Sequence, residues 1–413
     1  MPSFEVIITA FLAISLTASI ISSRTRTPYT IVLVLFGLAI AGSYLPSLLG
    51  VNLLYDNLIG GGLFVGLVLP PLLFETMMNI RYEDLRSVVR PALRLATVGV
   101  LIATIVGGLF LWQIARLPLT SSFIFASLIA PTDTATVLEI FRRARLPRKL
   151  STLMETEAAF NDATGIAIFT IVITSFSVSQ LSLFQATTSF VTILGGGVLV
   201  GMAVALGAHF LSRIVTDTMS ETMITITAVY GSFTVAEALG VSGLVAVAVG
   251  GLYYGNSTLK TWVRPQTTRI VRNFWRIMAF IANSLAFLYI GLSTDLSKIV
   301  ADLLPIAIAF SAVILARVAT VYPLLGTSKV DNAPIPRSWK NVALLGGMKG
   351  ALSIALAASL PANTPSRDLI TSTVLGVAFL SITLQGFLLS HYTARRFPRK
   401  PSGGIQTVLS AKR

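Results

Sequence analysis

Ala130-Pro131-Thr132-Asp133-Thr134 lies in the middle of one apolar stretch of this 413-residue chain, and Gly346-Gly347-Met348-Lys349-Gly350 lies in the middle of another. Proline removes a backbone donor, and Thr and Asp side chains replace lost partners, so the first run breaks a helix at its centre. The second run breaks one with glycine. Close helix packing would account for the glycines but not for a lysine among them. If two such broken helices cross, two positive half-helix N-termini and two negative C-termini meet in low dielectric. Asp133 and Lys349 have the signs that neutralise them. Paired interruptions of this kind point to discontinuous helices around a site at the membrane midplane.

The rest of the chain puts both runs in a membrane. Hydrophobic residues make up 54% and charged residues 12%, with a mean hydropathy of +0.81. That balance excludes a water-soluble globule. With about 20 apolar residues per span, thirteen segments emerge, at approximately 4–22, 29–45, 57–79, 93–115, 121–141, 151–176, 185–212, 220–239, 241–255, 274–294, 301–323, 339–360 and 368–393. The expected fold is an all-α integral membrane protein with 13 transmembrane helices. The first segment is expected to stay as a span, because no Lys or Arg precedes it and Glu5 stands where a signal peptide carries positive charge. The ninth is short and is expected to borrow residues from its neighbours.

Of the 31 Lys and Arg, 26 fall on one side of this alternation, 3 on the other, and 2, Arg317 and Lys349, inside spans. The positive-inside rule then places the N-terminus outside and the C-terminus in the cytoplasm of a multi-pass cell-membrane protein. It also accounts for the net charge of +14 without nucleic acid. Stretch 257–275, with Trp262, Arg264, Arg269 and Arg272 among apolar residues, is expected to lie at the interface or to extend the tenth span. There is no cysteine, which removes disulfides, thiolate metal sites and Cys nucleophiles. His209 and His391 are too far apart in sequence for a His-based metal site and are expected as interfacial polar residues.

From the start of span one to the start of span eight is about 216 residues, the same interval as from Asp133 to Lys349. Span one starts outside and span eight inside, which predicts two repeats of inverted topology. The first six-helix repeat is expected over 1–184, a linking transmembrane helix over 185–215, the second six-helix repeat over 216–395 and a short basic cytoplasmic tail over 396–413.

An ionisable group in the bilayer centre costs about 2.5 to 3.5 kcal/mol on insertion scales and marks function by default. Glu75, Asp133, Glu157, Asp162, Arg317 and Lys349 are such groups. Two cations neutralise only two of the four carboxylates, so protons or a bound cation must balance the rest. On one helix Glu157 and Asp162 point about 140° apart, whereas Glu157 and Asn161 share a face. One acid can therefore be paired while the other faces a cavity. Asp162 lies at mid-membrane depth, Glu75 follows Pro70 and Pro71 toward the cytoplasmic end of its span, and Arg317 sits at a depth suited to Glu157.

The ordered series Leu72-Leu73-Phe74-Glu75, Ala130-Pro131-Thr132-Asp133, Glu157-Ala158-Ala159-Phe160-Asn161-Asp162, Ala236-Glu237-Ala238-Leu239-Gly240-Val241-Ser242-Gly243, Gly291-Leu292-Ser293, Ala316-Arg317 and Gly347-Met348-Lys349-Gly350-Ala351-Leu352-Ser353 runs through most of the chain. It resembles the NhaP-type sodium/proton antiporters of cation/proton antiporter family one and, more distantly, the animal sodium/proton exchangers. The resemblance implies the NhaA-like antiporter fold with crossed helices, a homodimer, and a mobile six-helix core. It implies a cation and proton site of Asp162, Glu75, Thr132, Asp133 and Asn161, with sodium on Asp162, Glu75 and Thr132. It also implies a structural pair of Glu157 with Arg317, and compensation of helix dipoles by Asp133 and Lys349. Asn161, where electrogenic relatives have a second carboxylate, is associated with one-for-one exchange. Two positions depart from the family pattern: Ala158 replaces the usual Ser and Lys349 the usual Arg. Glu237, near a membrane surface, is expected to be structural.

The expected activity is electroneutral sodium or lithium exchange for protons by alternating access at one carboxylate. Its alternatives are potassium/proton exchange on the same fold and, in a different class, a cation channel. Sodium or another monovalent cation, protons and membrane lipid are the expected partners. No cofactor is expected, and the sequence offers no ATP-binding loop and no convincing nucleophile and base arrangement of an enzyme.

Overall fold

The computed structural model describes residues 4–25, 27–42, 63–133, 135–144, 146–177, 182–294, 296–361 and 363–397. Residues 398–413, nearly all of the expected basic tail, lie outside them.

Helix α1 (Phe4–Thr25) and α2 (Tyr29–Ala41) are separated at Pro28, which has no backbone donor. The Glu139 carboxylate accepts the Tyr29 N–H at 2.7–2.8 Å, satisfying a donor that a helix start leaves open. Helix α3 (Leu63–Asn79) contains Pro70 and Pro71. Next comes α4 (Tyr82–Ile114), with a single-turn π bulge at Leu95–Gly99. The fifth expected span is two half-helices, α5 (Leu119–Ile129) and α6 (Ala135–Ala144), followed by α7 (Arg148–Ser177).

Helix α8 (Leu183–Ile214) opens on a capping box in which Ser182 and Gln185 satisfy each other's backbone donors. Helix α9 (Thr218–Ala238) is capped by the Asp217 side chain and α10 (Gly243–Tyr253) by Ser242. Helix α10 continues through a π bulge at Tyr254–Thr258 to Thr261, so the short ninth span is lengthened by the stretch that follows it and not by a neighbouring span. Helix α11 (Pro265–Leu292) is continuous. Of the basic stretch 257–275, the part from Pro265 extends the tenth span, while residues 257–261 finish α10.

Short α12 (Leu296–Ala301) leads to α13 (Leu303–Gly326). A ribbon of β1 (Lys329–Val330) and β2 (Ala333–Pro334) turns at Asp331 and Asn332, both with positive φ. The twelfth expected span is again divided, into α14 (Arg337–Leu345) and α15 (Ala351–Ala358), before α16 (Arg367–Arg396) with its π bulge at Ser381–Gln385. Among the described residues, six helices are long and apolar enough to cross a membrane, α4, α7, α8, α11, α13 and α16. The chain is therefore a helical membrane protein, with α4 starting about three turns before the apolar run expected at 93, on the amphipathic segment Tyr82–Arg94.

Two packing groups form, each drawing on both halves of the sequence. Helices α1–α3 and α8–α11 pack with one another, as do α4–α7 with α13–α16. In the first group α2 crosses α11 where Gly37 meets Gly291, and a Cβ on Gly37 would sit 2.8 Å from the Gly291 Cα. Only glycine permits that backbone approach, the usual device where lipid supplies no hydrophobic drive for helix association. Helix α7 touches α3, α8 and α10 and lies at the boundary between the groups.

Candidate functional site

The two helix breaks meet. The Asp133 N–H donates to the Met348 carbonyl at 2.8 Å, joining the break between α5 and α6 to that between α14 and α15. Lys349, 3% exposed, donates its ammonium to the carbonyls of Ala130 at 3.2 Å and Pro131 at 3.0 Å. These are orphan acceptors at the C-terminus of α5, where a cation is favoured. Conversely, Gly350 is the N-cap of α15, and a Cβ on it would run into the Asp133 carboxylate. That carboxylate thus rests against the positive end of α15. Gly350→Ala is expected to push it away and to destabilise the protein by about 1–3 kcal/mol. Thermal melting of the purified protein checks this; an unchanged melt with full activity contradicts it.

Glu157, 1% exposed, is bound in bidentate fashion by Arg317, 8% exposed, with Arg317 Nη1 to Oε1 at 2.5 Å and Nη2 to Oε2 at 3.1 Å. The same guanidinium donates from Nε and Nη2 to the Ala343 carbonyl at 3.1 and 2.9 Å. The pair therefore ties α7 and α13 to the last turn of α14. One turn beyond Glu157, Asn161 donates its amide to Thr132 Oγ1 at 2.7 Å. With Glu157, Arg317, Thr320 and Lys349 it lines a small cavity of about 20 Å³, and among the described residues its buried Oδ1 has no hydrogen-bond partner. This is room for about one water.

Asp162, on the other face of α7, lines a far larger cavity of about 440 Å³ together with Glu75, Thr132, Asp133 and Ser353. A second cavity of about 270 Å³ shares Glu75, Thr76, Leu138 and Glu155 with it and reaches Arg148 at the start of α7. The two cavities adjoin at these shared residues and together form one passage; along α7, Arg148 and Asp162 are about 20 Å apart at 1.5 Å per residue. Four of the five residues expected at a cation site, Asp162, Glu75, Thr132 and Asp133, are on its wall. Asn161 is not among them: one turn from Glu157, it lines the small cavity and bonds Thr132 from that side.

Several wall residues escaped the sequence reading. Glu155 precedes Asp162 by seven residues, nearly two whole turns, and so shares its face; that spacing was visible. Asn283 and Ser353 also face the cavity, but they are neutral and a search for charge passes over them. Ala158 lines the wall with a methyl group. Outside the passage, Glu221 is buried in the first group, accepting from Ser212 at 3.0 Å and from the Tyr254 hydroxyl. It stands in the first turn of α9, where it passes for a surface charge. Glu237 accepts the Gly243 N–H at 2.9 Å, a contact that fixes the turn into α10. His209 is buried, with Nδ1 3.0 Å from Thr258 Oγ1 and Nε2 accepting from Trp262 Nε1 at 3.1 Å, while His391 stacks on Phe387.

The transmembrane sodium/hydrogen exchanger family model matches residues 7–395. The chain belongs to this family. Among its relatives, the Na(+)/H(+) antiporter NhaP of Pseudomonas aeruginosa is 34% identical over 348 residues, 81% of each chain. The Na(+)/H(+) antiporter ApNhaP of Aphanothece halophytica is 29% identical over 391 residues, 94% of this chain and 73% of the relative. The solved sodium proton antiporter MjNhaP1 of Methanocaldococcus jannaschii has the same fold, with a TM-score of 0.75 at 21% identity over 95% of this chain and 99% of that one. In this exchanger-family chain the helix crossing and the passage to Asp162 lie within the matched region.

Proposed function

We propose that this chain is a secondary antiporter of the cell membrane that exchanges one sodium or lithium ion for one proton by alternating access. The observation that carries the reading is the passage ending at Asp162 beside the crossed helix breaks. Its lining offers a hard cation oxygen ligands from Asp162, Glu75 and Thr132. One carboxylate that holds a proton or a cation, but not both, is sufficient for exchange. The bare anion is too costly to carry past an apolar barrier, so only the occupied site crosses. In this reading the α4–α7 and α13–α16 group moves against the α1–α3 and α8–α11 group, which holds the homodimer. With the C-terminus in the cytoplasm, the passage opens inward. The two inverted repeats proposed over 1–184 and 216–395, joined through 185–215, each give one broken helix to the crossing.

The test is proton movement in proteoliposomes of purified protein with sodium, lithium and potassium supplied separately. Sodium and lithium are expected to drive it, and silence with all three sinks the reading. Potassium belongs in the series because Ala158 puts a methyl on the wall where a hydroxyl would select for a small, tightly held ion. Unitary currents in a planar bilayer would instead indicate a channel.

Charge counting gives a further expectation. If Asp162 alone alternates between proton and sodium while Glu157 stays paired with Arg317, both crossings carry the same charge. A valinomycin-imposed potassium diffusion potential, applied once potassium is shown not to be a substrate, is expected to leave the rate nearly unchanged. A rate that follows the sign of the potential would mean that a second carboxylate also changes protonation.

A further inference from the structure

The end of α3 is held by contacts that the exchange cycle itself does not require. Glu75 and Asn79 are one turn apart on α3, and the Asn79 amide nitrogen donates to Glu75 Oε1 at 3.0 Å and to the Glu75 carbonyl at 2.8 Å. The Asn79 amide oxygen accepts in turn from Arg272 Nη1 of α11. Arginine only donates and a carboxylate only accepts, so the two partners fix which end of the amide faces which. Arg272 also donates to the Met78 carbonyl at 3.2 Å and to the Gly255 carbonyl at 3.5 Å. It can reach all three because the Gly255 backbone lies directly on Met78, where a Cβ would collide with the Met78 carbonyl. Asn256, in the same π bulge, donates to the Ile80 carbonyl at 2.7 Å and accepts the Tyr82 N–H at 3.0 Å.

We propose that Arg272 and Asn79 are positioning residues that aim the Glu75 carboxylate into the passage and thereby set how readily a cation is captured. The inference rests on the exchange reading above. A glutamate has three side-chain torsions to immobilise before it can serve as a ligand, and a second layer of hydrogen bonds supplies that order in advance. Glu75 lines both the deep cavity of about 440 Å³ and the adjoining one of about 270 Å³, here the vestibule, and Asn79 lines the vestibule beside it. A guanidinium behind the amide strengthens the N–H that Asn79 presents to Oε1. Because neither residue lines the deep cavity with Asp162, their loss should weaken uptake and leave the crossing step alone.

The experiment compares wild type, Asn79→Ala, Arg272→Gln and Arg272→Lys in proteoliposomes, with initial proton movement measured against sodium concentration. Asn79→Ala and Arg272→Gln are expected to raise the half-saturating sodium concentration about ten-fold with the maximal rate within about two-fold. Arg272→Lys still donates to the Asn79 oxygen and is expected to recover most of the loss. The Asn79→Ala and Arg272→Gln effects should not add, since both act on one oxygen. Sodium-dependent shifts of the melting temperature in detergent give a second readout, whose midpoint is expected to move with half-saturation. If wild type exchanges sodium and the variants keep its half-saturation, or lose only maximal rate together with thermal stability, the inference is wrong and the exchange reading stands. If wild type neither exchanges sodium nor is stabilised by it, both fall. Asn79 is exposed, so its variant keeps the test decisive even if Arg272→Gln fails to fold.

Discussion

Asp162→Asn is expected to give a folded, inserted protein that moves no protons in response to a cation gradient. The substitution is nearly isosteric, and Asp162 faces a cavity and is partly exposed to it, so packing around α7 should survive. The chemistry does not. An amide has no proton to release, and its single neutral oxygen is a weaker ligand than a carboxylate for a hard cation. Neither half of the cycle can then run, so the loss should be complete rather than a shift in affinity. Asp133 and Glu75 remain on the wall but are held differently: Asp133 stands against the start of α15, and Glu75 is tied to Asn79. Neither should substitute. The measurement is sodium-dependent proton movement by purified Asp162→Asn in proteoliposomes, with a melting curve as the control for folding. Substantial exchange by a protein that melts like wild type would move the exchanging carboxylate elsewhere.

How much of this was legible beforehand depends on what each residue costs in a membrane. Lys349 and Asp133 were conspicuous because a charge there needs a reason, and both stand at half-helix ends of opposite polarity. Glu157 and Asp162 could be separated because five residues along a helix rotate a side chain far from its starting face. Hydroxyls and amides carry no such signal, since a helix absorbs them cheaply. Thr164 donates to the Phe160 carbonyl at 2.9 Å and Ser284 to the Phe280 carbonyl at 2.7 Å, each one turn back. Ser353 and Asn283, which do line the passage, look no different in sequence. Asn161 is a related case: the resemblance includes it in the site, and its i+4 relation to Glu157 sets it on the far side of Thr132, to which it donates. The network around Asn79 and Arg272 was beyond reach because its members lie on α3, α10 and α11, far apart in sequence, and meet only where those three helices pack together.

Glu157 and Arg317 offer the sharpest test of which carboxylate is structural. Both partners are buried, so removing one leaves the other charge in a largely apolar interior without its bidentate partner. Breaking a buried pair in this way costs about 3 to 5 kcal/mol. Glu157→Ala and Arg317→Ala are each expected to lower the melting temperature strongly. Arg317→Ala should be the more damaging, because it also releases the Ala343 carbonyl that two guanidinium nitrogens now hold. The double variant removes both charges, so it should be less impaired than the sum of the single losses, with a coupling of about 1 to 3 kcal/mol. Additive losses would show that the two side chains stabilise the fold independently. Glu157 would then be open to carrying a proton of its own, and that extra titrating group would have to appear as voltage dependence in the exchange rate.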